Sequence, residues 1–561
     1  MEVKREWYKE LSFYQIWPRS FKDGNGDGIG DLKGVLEKLD YIKSLNVDAI
    51  WFSPLYESPN KDYGYDISDY RAINPEYGTL DDMKTVLKEA HKRGLKVIMD
   101  LVINHTSDRH KWFQEAKKSV DNPYHDYYIW RKGKGKDGKK YPNNWKSNFP
   151  GSAWEYVETC DEYYLHLFDV GQPDLNMDNP RVREEVKDIL RFWLDMGIDG
   201  FREDVINYIS KREGLPNGFP LPVMTGMEHY VNGPHLHEYL MEFKKVYDEY
   251  DEVMTVGEAP LVNAAKMLEF IGEGENQVLK TMFEFEQMEG DCFKASWLKT
   301  GFNLPKLKKI YEKWQHAFYG KAWNTLFLEN HDLPRIINRY GNPAYRTESG
   351  KTLATMYIMQ SGNPYVYQGQ EIGMLNIDLP TIEDYPDVNS KTFYNLYRKF
   401  GFSKKFAMAR VHYSARDNAR TPVQWSAEEN AGFTEGKPWF VINPNYDKIN
   451  VELEDKDPNS ILNHYRKALK VRKENLVAIY GDFKLYYRRS KKWFVYSREY
   501  EGKRLLVICS FSKQNQRFKT PKGFDLSQGK LLLGSYLKDN VIAPDGFRAR
   551  PYESRVYLFE D

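Results

Sequence analysis

Eight short runs rich in β-branched and aromatic residues, most of them separated by helical patterns, fill the first 375 positions of this chain. They lie at 11–21, 47–56, 95–105, 200–206, 253–259, 278–285, 324–330 and 364–373. Between the first two, Leu32, Val35, Leu36, Leu39, Ile42 and Leu45 recur at helical spacing. Thr79 and Asp82 form the start signal of a capping box before the third. Further helical patterns cover 180–196 and 349–360. Strands that alternate with helices build a parallel sheet, and eight such units predict an α/β fold closed as a (β/α)8 TIM barrel. Chemistry in that architecture gathers where the strands end.

Two stretches break the alternation. Residues 106–175 are rich in Tyr, Trp, Asn and Gly and read as a subdomain inserted after strand three. Residues 375–455 read as loop-rich, and a helix is expected near 459–473. Beyond it, WFVYSREY, LLVICSFS, KLLLGSY and SRVYLFE are short strands at hairpin-like spacing. The expected domains are therefore 1–105 and 176–475 for the barrel, 106–175 for the inserted subdomain, and 476–561 for a C-terminal antiparallel β-domain.

Lys plus Arg and Asp plus Glu are equal at 81 each, so the chain lacks the basic excess that nucleic acid or an anionic membrane demands. No run of 18 apolar residues occurs, and the N-terminal MEVKREWYKELSFYQIW holds no signal-peptide core. Three widely spaced cysteines suggest neither a disulfide framework nor a thiolate metal site. These features make a soluble intracellular protein the default; a cytoplasmic monomer that binds neither nucleic acid nor membrane is expected. The 41 Tyr and 14 Trp suit sugar faces and a large core alike.

Acidic residues recur at the predicted strand ends: Asp100, Asp204, Glu258, Asp332 and Glu371, with His105 and His331 nearby. In GFREDVI the strand period of two sets Arg202 and Asp204 on one face and Glu203 on the other. An Arg beside Asp204 would hold that carboxylate ionised and oriented, as a nucleophile requires, or form a purely structural pair.

DLVINH (100–105), GFREDVI (200–206), VGEA (256–259) and ENHD (329–332) occur in this order, each at a strand end. Together they resemble the four signature segments of the α-amylase family of glycoside hydrolases, family 13. QPDLN (172–176) resembles a fifth segment in the oligo-1,6-glucosidase branch. RDNARTPVQW (416–425) is similar to a segment of the branch that holds oligo-1,6-glucosidases, dextran glucosidases, α-glucosidases and sucrose isomerases. The resemblance implies Asp204 as nucleophile, Glu258 as acid/base and Asp332 as transition-state stabiliser. It also implies Asp62, Tyr65, His105, His331, Arg202, Phe149 and Phe168 around one glucose, with Arg416 pairing Asp62 to close the pocket behind it. The activity it implies is a retaining exo-α-glucosidase that releases terminal α-1,6-linked glucose from isomalto-oligosaccharides, with α-1,4 bonds or sucrose as side substrates. The alternatives are a sucrose isomerase or transglucosylase using the same intermediate, or a trehalose-6-phosphate hydrolase, for which no basic phosphate pocket is evident. A non-catalytic transporter subunit would carry a membrane span and lose catalytic residues.

Val205 resembles branch members acting on α-1,6 bonds, where Thr accompanies α-1,4 activity. Glu203, Leu333 and Asn389 depart from the pattern, which predicts an altered acceptor specificity with the catalytic machinery intact.

DGNGDGIGD (23–31) sets Asp23, Asn25, Asp27, the Ile29 carbonyl and Asp31 at positions 1, 3, 5, 7 and 9 of a calcium-loop series. Position 12 would be Gly34, so the bidentate Glu of an EF-hand is missing. The resemblance implies a structural Ca2+ here, a site that Mg2+ could also fill.

Overall fold

The computed structural model describes residues 3–560 except 150, 222, 294 and 539–542. Eight parallel strands form its central sheet: β1 (Phe13–Ile16), β2 (Ala49–Phe52), β3 (Lys96–Leu101), β4 (Gly200–Glu203), β5 (Met254–Glu258), β6 (Thr281–Phe283), β7 (Thr325–Leu326) and β8 (Asn363–Tyr367). Phe13 pairs with Ala49 on one side and Tyr365 on the other, so β1 joins β2 to β8 and turns the sheet into a barrel. Between β6 and β7 a side chain takes over: Thr325 Oγ1 donates to the Met282 carbonyl at 3.1 Å.

Inside the barrel the aromatic residues of four strands meet. Phe13 stacks on Tyr365 at 4.5 Å between ring centres, Phe283 lies 4.8 Å from Tyr365, and Trp51 lies 5.5 Å from Phe283. The Arg202 guanidinium sits 5.3 Å from the centre of the Trp51 ring, so this apolar layer is the floor on which the charged residues rest.

The helices follow their sequence signals closely where caps are strong. Thr79 and Asp82 form a reciprocal capping box on the helix Leu80–Lys92. The helix Pro180–Met196 begins at Asn179, whose side chain accepts from the Arg181 N–H, and ends at Gly197, whose φ of 103° requires glycine. The stretch 32–45, read as one helix, is two: α1 (Leu32–Glu37) and α2 (Leu39–Ser44) meet at Lys38. The segment read as loop-rich carries α3 (Val388–Lys399) and α4 (Lys404–Ser414), and α4 lacks the apolar stripe that marks a buried helix in sequence.

Within 106–175, the strands Trp130–Arg131, Trp154–Val157 and Glu162–Leu165 form an antiparallel sheet. Its apolar side packs Trp145, Trp154 and Leu167 against Val205, Tyr208 and Tyr230 at the barrel mouth. At the C-terminus, β9 (Lys484–Tyr486), β10 (Trp493–Tyr500), β11 (Lys503–Ser510), β12 (Lys530–Gly534) and β13 (Ser554–Glu560) form an antiparallel sheet in the order β9-β10-β11-β13-β12. Among the described residues no helix is long and apolar enough to cross a membrane.

Candidate active site

Strand β4 delivers Arg202 into the barrel mouth, and three carboxylates converge on it. Arg202 Nη1 donates to Asp100 Oδ1 at 2.6 Å and Asp204 Oδ1 at 2.7 Å, and Nη2 lies 2.6 Å from Glu258 Oε2. All four side chains are buried or nearly so. Burial pushes the Asp100 and Asp204 carboxyls up, against the pull of Arg202. One guanidinium neutralises one carboxylate fully, so the packing of three carboxylates around Arg202 disfavours their simultaneous ionisation.

Just past the last paired residue of β4 the chain turns sharply. Val205 has φ 35° and ψ 41°, a left-handed conformation that a β-branched residue rarely adopts. The turn points the Val205 N–H at Glu258 Oε2, 3.2 Å away. Arg202 and Val205 thus both address Oε2 and leave Oε1 of Glu258 without a donor from either. The two carboxylates share one guanidinium, Asp204 on Nη1 and Glu258 on Nη2.

A second charged group faces the first. Asp332 Oδ1 accepts from Arg416 Nη1 at 3.1 Å and Arg420 Nη2 at 2.9 Å, while Oδ2 lies 3.2 Å from His331 Nε2. Although burial opposes it, the charges of His331 and Arg416 hold the Asp332 carboxyl well below the usual range. His331 stacks on Tyr65 with ring centres 5.3 Å apart, and its Nδ1 lies 2.8 Å from Gln15 Nε2. The Tyr65 hydroxyl donates to Asp100 Oδ2 at 2.9 Å, which ties the two groups together.

The back wall comes from loops. Gln172 Nε2 donates to Asp62 Oδ2 and contacts His105 Nε2, both at 3.2 Å. Burial lowers His105 to about 4, so it is neutral. Its ring lies 5.1 Å from Phe168, which is 6.1 Å from Phe149. Burial pushes Asp62 up to about 7, with Arg416 and Arg420 opposing. Arg416 Nη2 is 3.7 Å from Asp62 Oδ1, a looser pair than the resemblance implied. Its close partner is Asp387, bound by Nε at 2.6 Å and Nη2 at 2.7 Å.

The structure therefore gathers Asp62, Tyr65, His105, Phe149, Phe168, Arg202, Asp204, Glu258, His331, Asp332 and Arg416 around one mouth. Sequence reasoning did not single out Gln15, Gln172, Asp387 or Arg420 as site residues, although QPDLN, YPDVNS and RDNAR contain three of them. Glu371 stays outside: it accepts from Tyr14 and Tyr41 at 2.7 and 2.8 Å and serves the barrel wall. Glu203 points to the helix layer, where Oε1 accepts from Tyr247 at 2.8 Å and Oε2 finds no partner. Burial pushes it up to about 8.

Beside Asp332 and Arg416 opens a cavity of about 220 Å³. Leu333 and Asn389, the two departures expected near the acceptor, both line it.

The DGNGDGIGD loop lies between β1 and α1. Asp23 accepts from the N–H groups of Asn25, Gly26 and Gly28, and Asp31 Oδ1 from those of Gly24 and Gly34. Among the described residues no three His, Cys, Asp or Glu side chains form a ready-made metal cluster. A hard cation here would also need the Asn25 and Ile29 oxygens. The donor set suits one on those terms: the buried Asp31 Oδ2 has no partner, and burial together with the charges of Asp23 and Asp27 pushes Asp31 up.

Residues 15–481 match the family described as "Alpha amylase, catalytic domain". The chain is 48% identical to an oligo-1,6-glucosidase of Parageobacillus thermoglucosidasius, with 99% of each chain covered. A crystal structure of trehalose-6-phosphate hydrolase from Bacillus licheniformis superposes with a TM-score of 0.93 at 42% identity, covering 99% of this chain and 100% of that one. The isomaltulose synthase of Klebsiella sp. LX3 superposes with a TM-score of 0.94 at 39% identity, with 99% of each covered.

Proposed function

Because this chain belongs to the α-amylase family of glycoside hydrolases, we propose that its buried carboxylate cluster carries out retaining hydrolysis of terminal non-reducing α-glucosides, with the α-1,6 linkage preferred. The observation that supports this most directly is the one guanidinium shared by Asp204 and Glu258.

A terminal glucose enters with its far hydroxyls toward Asp62, Gln172, His105 and Arg416, and Phe149 and Phe168 flank it. Asp332 holds ring hydroxyls. Asp204 attacks C1 as the bond from C1 to the glycosidic oxygen breaks, and the proton on Glu258 Oε1 passes to that oxygen. The product is a β-glucosyl ester on Asp204 and a free acceptor. Glu258, now a carboxylate, takes a proton from water, whose oxygen displaces Asp204 and restores the α configuration. With the proton on Glu258, Arg202 is left to hold Asp204 ionised for the attack.

The wall behind the glucose, closed by Asp62, Gln172 and Arg416, supports exo action. The two cations lining the cavity beyond Arg416 do not favour a phosphate: Lys299 and Arg339 both bind Asp291, at 3.1 and 2.8 Å. Asp23, Asn25, Asp27, Ile29 and Asp31 would hold Ca2+, or Mg2+, which would neutralise the loop and fix its path between β1 and α1. A monomeric cytoplasmic enzyme is part of the same reading.

The test is a product assay with isomaltose, maltose, sucrose and trehalose 6-phosphate. Glucose from isomaltose, appearing first as the α-anomer by NMR, is expected. Glucose from maltose with none from isomaltose rejects the linkage, and β-glucose as first product rejects the mechanism.

A further inference from the structure

Against the expectation from overall charge, we propose that the tip of the α3–α4 hairpin docks this protein on a membrane surface bearing anionic lipid. The chain is neutral as a whole, but Val388 to Arg416 holds seven Lys and Arg and no Asp or Glu. Four of those cations, Arg398, Lys399, Lys404 and Lys405, flank Phe400 and Phe402 in RKFGFSKKF (398–406). Every residue from Arg398 to Lys405 is exposed, so the tip projects from the molecule. Phe400 is 59% exposed and Phe402 44%, where burial is the rule for that side chain.

The tip is preformed. The Phe400 and Gly401 N–H groups donate to the Leu396 and Arg398 carbonyls at 3.0 Å, and the Phe402 N–H returns to Tyr397 at 3.1 Å. Gly401 takes φ 84°, the left-handed turn that ends α3. Ser403 Oγ then accepts from the Phe406 N–H and starts α4. Phe402 stacks on Phe406 with ring centres 4.6 Å apart, and the Arg398 guanidinium donates to the Phe402 carbonyl. Docking therefore orders little that is not already ordered.

A second basic segment lies beside it. RKGKGKDGKK (131–140) sets six cations against Asp137 and runs into Tyr141, itself 52% exposed. Tyr141 and Lys399 line one groove, which shares no lining residue with the cavity beside Asp332. Among the described residues, Lys391, Lys399, Lys404, Lys405 and the lysines of 132–140 form no ion pair. Elsewhere on the surface Lys84, Lys92 and Lys118 each pair with a carboxylate three positions away. Unpaired cations gathered on one side of a neutral protein repel one another, and an anionic partner relieves that repulsion. The exposed rings decide which partner. A lipid surface takes Phe400 and Phe402 below its headgroups while the Lys and Arg ends stay at the phosphates. A nucleic-acid strand needs open ring faces to stack on, and one face of Phe402 is already covered by Phe406.

Flotation of the full chain with phosphatidylcholine vesicles, with and without phosphatidylglycerol, tests this. Binding is expected only with phosphatidylglycerol, and it should weaken as salt is added. Lys404→Glu/Lys405→Glu and Phe400→Ser should each weaken binding about tenfold or more, with Tm unchanged. Should either variant unfold, hydrogen exchange of the wild type is read instead, and phosphatidylglycerol vesicles should protect amides within 398–406. Equal binding to phosphatidylcholine alone, no binding to either vesicle, or unchanged binding by both folded variants overturns the inference. Binding to polyglutamate or single-stranded RNA with none to vesicles also overturns it and makes the tip a site for a soluble polyanion. None of these readouts depends on which sugar the active site cleaves.

Discussion

The Val205 N–H donates to Glu258 Oε2 at 3.2 Å from a residue held at φ 35°. The strained turn after Asp204 thus orients Glu258, while the Val205 side chain packs with Trp145, Leu167 and Tyr208. A backbone conformation of this kind costs about 1–3 kcal/mol and persists because its surroundings fix it. Replacing Val205 by Thr keeps the shape and adds a hydroxyl beside the acceptor. The ratio of kcat/KM for isomaltose over maltose should fall about tenfold or more. An unchanged ratio would remove Val205 from linkage choice.

Asp204→Ala leaves Arg202 and Asp100 paired but removes the carboxylate proposed as nucleophile. Loss of kcat by a factor of about 10⁴ or more is expected, with thermal stability little changed. Comparable turnover by the variant would sink the covalent mechanism.

Arg416 grips Asp387 with two nitrogens and Asp332 with a third, a fork that a Lys cannot reproduce. Arg416→Lys should raise KM roughly tenfold. Arg416→Gln also removes a charge that opposes the rise of Asp62 above its ordinary value, so the acid limb of kcat/KM should move to higher pH. A pH profile identical to wild type would show that Asp62 does not need its charge.

Glu203 is raised to about 8 by burial, far above an unfolded Glu near 4.3. The folded state therefore holds a proton that the unfolded state loses. The contribution is complete below the unfolded value and is lost as pH rises through about 8. Glu203→Gln removes this dependence. Its Tm advantage over wild type should widen between pH 5 and 8 and then level off, and parallel Tm curves would contradict the buried proton.

Chelation tests the loop between β1 and α1. EDTA should lower Tm by a few degrees, Ca2+ should restore it, and Asp31→Asn should abolish both responses. Metal analysis that finds no Ca2+ or Mg2+, together with an EDTA-insensitive Tm, would leave the loop as a set of Asx turns.

Local signals were strong enough to be read directly. Thr79 with Asp82, and Asn179 with Gly197, fix two helices through contacts within a few residues, and the alternation of strand and helix leaves a parallel barrel as the economical closure. The ordered segments around Asp204, Glu258 and Asp332 named carboxylates that the fold brings to one mouth, because a short motif at a strand end carries its own placement. The strand runs were read too long, since the pattern of apolar residues does not register where ladder pairing stops and the chain bends to aim a side chain, as at Val205.

What tertiary structure alone decided is how charges separated by long stretches of chain are shared. Arg202 binding Asp100, Asp204 and Glu258 at once, and Arg416 turning to Asp387 more closely than to Asp62, depend on loops from different strands meeting at one mouth. The same holds for the cavity beside Asp332: Leu333 and Asn389 are 56 positions apart, and only the tertiary fold makes them line one cavity. Sequence determines which groups can react, because that chemistry is intrinsic to the side chains. Distance and burial determine which of them do, because Coulomb attraction and desolvation exist only in the folded arrangement.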